Sequence, residues 1–93
     1  MFSSFVIADT SDSIENVATI AAAPVVCGYK VNEEMVNISV HTLFPNPSDL
    51  NQGGRYYEEL QNNLRRINSL TSTPEGARAF CNRVSNELSA FFD

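Results

Sequence analysis

Residues 57–92, YEELQNNLRRINSLTSTPEGARAFCNRVSNELSAFF, decide the fold. In the first half Tyr57, Leu60, Leu64, Ile67 and Leu70 recur every three or four residues. Glu58, Glu59, Gln61, Asn62, Arg65 and Arg66 fall mostly on the opposite side. This is the period of an amphipathic α-helix. Ser72-Thr73-Pro74-Glu75 then restarts the chain. Either Ser72 and Glu75 form a capping box, or Thr73 caps with Pro74 at the first helical position. Ala77, Phe80, Cys81, Val84, Leu88 and Phe91 make the apolar face of a final helix. A connection as short as Leu70–Pro74 makes the two helices antiparallel neighbours.

Upstream, Asp12 with Glu15 three residues later resembles a capping box. Ile14, Val17, Ala18, Ala21, Val25 and Cys27 then give a roughly helical stripe. Pro24 removes the bond to the Ile20 carbonyl, so a kink or a break is expected there. Gly28 suits the residue just past the helix end. Asn32 reads as an N-cap, with Glu33 and Glu34 in the positive first turn of a second helix. Segment 31–44 is ambiguous. Val31, Met35 and Ile38 have helical spacing, but Val36, Ile38, Val40, Thr42 and Phe44 alternate as a strand would. Length and flanks favour a helix, ended by Phe44-Pro45. Pro47 suits the start of a short helical turn, and Gly53-Gly54 punctuates the chain before the next helix.

The expected fold is therefore all-α, a bundle of about four helices in a single domain spanning 1–93, with 1–11 as an N-terminal arm. Ninety-three residues leave no room for two cores. The 43% apolar content is that of an ordinary globular chain. A core this small gains much from a covalent staple. Cys27 and Cys81 are too far apart for a redox dithiol motif, and a single histidine is too few for a usual zinc site. Both fall on apolar helix faces, so a Cys27–Cys81 disulfide is expected, tying the first helix to the C-terminal pair. Two separate buried thiols are the alternative.

The net charge of −5, from six Lys and Arg against eleven Asp and Glu, argues against nucleic-acid and anionic-membrane partners. No stretch approaches the roughly twenty apolar residues of a membrane span. Met1–Ala8 is too short for a signal peptide and lacks its basic region. With the disulfide, the expected location is periplasmic or secreted, the signal peptide lying outside this sequence.

Little of the sequence carries chemistry. His41 is the single histidine, and Ser39 and Thr42 beside it make no triad. The carboxylates have no calcium-loop spacing, and Gly53-Gly54 lacks the lysine of a phosphate loop. No metal, cofactor or catalytic residue is expected. Asn37-Ile38-Ser39 matches the glycosylation sequon, but a helix is a poor acceptor. Aromatic residues are the better candidates for binding. Tyr57 is expected in the core and Tyr56 at the rim, where an amphipathic ring suits an interface. Phe92, with Phe2 and Phe5, could complete an apolar patch for a protein partner or a second copy.

Val26-Cys27-Gly28, the helical middle and Phe80-Cys81-Asn82 together resemble the small periplasmic two-cysteine helical proteins, of which the HdeA-type acid-stress chaperones are the best known. That resemblance implies a disulfide-closed helical fold in the periplasm and a chaperone-like use. The chain departs from those lysine-rich proteins in having one lysine, Lys30. The functional expectation is a non-catalytic binding module acting through exposed aromatic surface. The alternative is an acidic inhibitor or immunity-type protein covering a basic enzyme site.

Overall fold

The computed structural model describes residues 10–93, with the side chains of Thr10 and Ser11 left aside. Four α-helices are present among these residues: α1 (Thr10–Cys27), α2 (Glu33–Leu43), α3 (Tyr57–Leu70) and α4 (Pro74–Glu87). Short 3-10 turns cover Pro47–Leu50 and Ser89–Phe91. The fold is the expected all-α bundle. Phe2 and Phe5 lie outside the described residues, as does most of the expected arm 1–11. Its last two residues already belong to α1.

The centre of the bundle is α1 packed against α3 and α4. Ala18 and Ala23 of α1 meet Ile67 of α3 and Phe80 and Val84 of α4, all buried. Small side chains on α1 let the larger ones opposite reach its backbone. The disulfide joins Cys27 at the end of α1 to Cys81 in mid-α4, with the Cα atoms 5.7 Å apart. Asn63 is buried in α3, with its amide nitrogen donating to the Glu59 carbonyl (2.8 Å) and its oxygen accepting from Arg66 (2.6 Å). Arg66 also pairs with Glu15 of α1 at 3.3 Å. Both groups are exposed, so this bridge contributes at most about 1 kcal/mol.

Local sequence accounts for most boundaries. Gly28 ends α1 at φ +75°, the left-handed conformation expected of a residue just past a helix. The Asn32 side chain accepts from the Met35 N–H (3.2 Å) and starts α2, so 31–44 is helical rather than extended. Thr73, not Ser72, caps α4: its hydroxyl accepts from the Gly76 N–H at 3.1 Å, with Pro74 at the first helical position. Thr73→Ala is expected to cost about 1 kcal/mol and lower Tm by about 4–8 °C in a thermal melt.

Two expectations for α1 need correction. The helix runs through Pro24 without a break. Pro24 sits in the last turn, where only the Ile20 carbonyl loses its partner, and the Gly28 N–H closes onto the Pro24 carbonyl (3.1 Å). The stripe is also not buried along its length. Ile14 and Ala18 are fully buried, whereas Val25 on the same side is 88% exposed. Cover along that stripe is uneven: Ala21 and Val25 are exposed, while Cys27 packs against the core.

Candidate functional site

α1 carries apolar residues all the way round between Val17 and Cys27, with Thr19 as the only hydroxyl, and that hydroxyl donates to its own helix at Glu15 (2.9 Å). A helix apolar on all sides needs partners on more than one face. One face of α1 meets α3 and α4. The other looks toward α2, which returns alongside α1 after the Gly28–Asn32 loop.

The second contact is incomplete. α2 has no buried residue, although it carries Met35, Val36, Ile38, Val40 and Leu43. Between the two helices lies a cleft of about 300 Å³. Val17, Ile20, Ala21 and Pro24 form the α1 wall, and Val36, Val40 and Leu43 the α2 wall. Val31 and Phe91 line it near the α1–α2 loop, Ser13 and Asn16 line it in the first turns of α1, and Ser39 of α2 is the remaining polar wall residue. No charged side chain lines it.

Phe91 is held there by main-chain bonds. The Asn32 N–H donates to the Phe91 carbonyl (2.7 Å), and the Asp93 N–H donates to the Lys30 carbonyl (2.8 Å). These form an isolated antiparallel bridge between Val31 and Phe92. Tyr29 adds a hydroxyl bond to the Cys81 carbonyl (3.3 Å) and a ring contact with Phe92 at 5.8 Å between centroids. At the other end of α2, Phe44 is buried. The α2 wall is therefore tied down at both termini and open along its middle.

Of the sequence-derived candidates, Tyr56 and Phe92 lie among the described residues, and neither lines the cleft. Phe92 is half-buried against Tyr29, and it is its neighbour Phe91 that faces the cleft. Tyr56 is half-buried with its ring edge-on to Phe44 at 5.9 Å and the Arg55 guanidinium 5.1 Å from its centroid. Tyr57, expected in the core, is half-buried as well. The Tyr56 side and the cleft share Leu43 as a common wall residue. The structure does not bring Tyr56 and Phe92 into one aromatic patch; they border separate depressions. Sequence reasoning missed the cleft itself. The available signal was the apolar run Val17–Cys27, too long and too uniform for a helix buried on one stripe.

His41 is exposed on α2, its Nδ1–H donating to the Asn37 carbonyl one turn earlier (2.8 Å). Asn37 is exposed within the same helix. Among the described residues no three His, Cys, Asp or Glu side chains are grouped to hold a metal, and no helix is long and apolar enough to cross a membrane. No family model, curated protein or solved structure matches the chain.

Proposed function

We propose that the protein is a non-catalytic binding module of an oxidising, extracytoplasmic compartment, periplasmic or secreted, and that the α1–α2 cleft is its binding site. The observation that carries this reading is an apolar concavity of about 300 Å³ without a charged wall residue. That volume is at the lower end of small-molecule sites. Apolar walls left in water forgo roughly 25 cal/mol for each Å² that a ligand could cover. The Cys27–Cys81 bridge supports the compartment, since such bonds persist where thiols are not kept reduced.

Titration with the neutral, environment-sensitive dye Nile red tests the site. Saturable one-to-one binding is expected. Ala21→Asp, at an exposed position that lines the cleft, should weaken it at least tenfold with far-UV circular dichroism unchanged. Unsaturable dye uptake, or equal binding by the variant, would remove the cleft from consideration. A chaperone-like use is a second reading, favoured by the exposed Met35, Ile38 and Leu43 along α2.

A further inference from the structure

Resting on that reading, we infer that the cleft is gated by oxidation: closing the Cys27–Cys81 bridge fixes its end wall, and the chain with both thiols free binds poorly. Bridge and cleft meet in one short stretch. The loop 28–32 leaves the bridged Cys27 at one end and enters α2 at the other.

The end wall hangs from that loop. Val31 belongs to the loop, and Phe91 is held at the cleft by the Asn32 N–H, which donates to its carbonyl (2.7 Å). The Asp93 N–H donates to the Lys30 carbonyl (2.8 Å) on the same pairing. Tyr29, two residues past Cys27, ties this pairing to the bridge. Its hydroxyl donates to the Cys81 carbonyl (3.3 Å), and its ring lies against Phe92. Cys27, Tyr29, Cys81 and Phe92 are one connected hub, and the wall residues Val31 and Phe91 are joined to it through the Val31–Phe92 pairing.

The bridge is the strongest tie in that hub. The last turn of α1, Pro24–Cys27, has no buried residue, and Pro24 has no N–H to give the Ile20 carbonyl. Val26 and Cys27 rest against the core only in part. α2 does not compensate, because it buries nothing along its length and is set by its two ends. With the sulfurs parted, three hydrogen bonds and the partial packing of Tyr29 and Phe92 remain. Each such bond adds little where water competes for its groups. The loop, the C-terminal turn and the near end of α2 then open together, while α1, α3 and α4 keep their shared core.

The oxidant is a disulfide, either a small molecule such as glutathione disulfide or a disulfide-bearing oxidoreductase. One cysteine thiolate attacks its S–S bond to give a mixed disulfide, and the other cysteine displaces that intermediate. The Cys27–Cys81 bond forms and the oxidant's bond breaks. It leaves as two thiols, carrying the two electrons and two protons. A chain kept reduced among thiols has an unfixed wall, so binding begins where the bridge is made.

The test compares the oxidised chain with the chain reduced by dithiothreitol, in the cold, with folding followed by far-UV circular dichroism. Reduction should weaken Nile red binding about tenfold, as a wall in place about a tenth of the time would. Glutathione disulfide should restore it. In hydrogen exchange, the Asn32 and Asp93 amides should lose nearly all protection on reduction while those of Ile67 and Val84 stay protected. Tyr29→Ala with the bridge closed covers the case of a reduced chain that unfolds. It cuts the hub without touching the sulfurs, and should open the same two amides and weaken the dye. Unchanged affinity, or full protection of Asn32 and Asp93 in the reduced chain, overturns the gate and leaves the site. A Tyr29→Ala chain that behaves as the unsubstituted one does the same. Failure of Nile red to bind the oxidised chain removes the site and leaves nothing to gate, whatever the exchange pattern.

Discussion

Replacing Cys27 and Cys81 together by serine is expected to lower the unfolding free energy by about 4 kcal/mol and Tm by about 20 °C. The bridge spans 54 residues, more than half of the chain. Most of its effect lies in the unfolded chain, which loses the conformations in which the end of α1 and the middle of α4 are far apart. Other contacts at this junction are weaker. The Tyr29 hydroxyl bond to the Cys81 carbonyl is one hydrogen bond, about 1 kcal/mol. Serine is close to cysteine in size, so the cavity contribution is small. Set against a total of about 5–14 kcal/mol for a domain of this length, the loss is a large fraction. Urea unfolding of the oxidised protein and the double serine variant, followed by circular dichroism, measures it. A difference under about 1 kcal/mol would mean that the unfolded chain already keeps these segments together.

Gly76→Ala is the second large effect. Propensity alone says that alanine should help, by about 1 kcal/mol, because Gly76 lies inside α4. The α3–α4 hairpin reverses this. A Cβ at residue 76 would overlap the backbone carbonyl oxygen of Leu70, the last residue of α3, and would also press on the Thr73 hydroxyl that caps α4. A backbone carbonyl cannot rotate away as a side-chain tip can. Overpacking of this kind costs about 1–3 kcal/mol, occasionally more, and here it opposes the cap as well. The net result expected is a destabilisation of about 2 kcal/mol in thermal or urea unfolding. A more stable alanine variant would show that the hairpin opens without penalty.

The helices of the C-terminal hairpin were legible because one face of each is buried by neighbours, and burial is what imposes a period on sequence. Ile67, Phe80 and Val84 sit where the spacing put them. Segment 31–44 resisted the same treatment for the converse reason. With no buried residue in α2, nothing selects between the spacing of Met35 and Ile38 and the alternation of Val36, Ile38 and Val40. The Asn32 cap, a local signal, decided correctly. Val25 was misplaced because periodicity reports which side of a helix is apolar, not where that side is covered. The candidate site was the least legible part. Its walls come from two helices and a C-terminal turn, and Phe91 reaches it through backbone pairing that side-chain patterns do not encode. Gly76 is similar: its requirement arises from how closely two helices approach.

That α2 buries none of its residues has an evolutionary consequence. Folding free energy resides mainly in α1, α3, α4 and their cross-link, so substitutions on the free helix fall in the class that changes stability by little. Selection can therefore rewrite Val36, Ser39, Val40 and Leu43 one at a time without first accumulating compensating changes in the core. Descendants of such a chain would diverge fastest along one wall of the cleft while the cysteines, Gly76 and the small residues of α1 stay fixed.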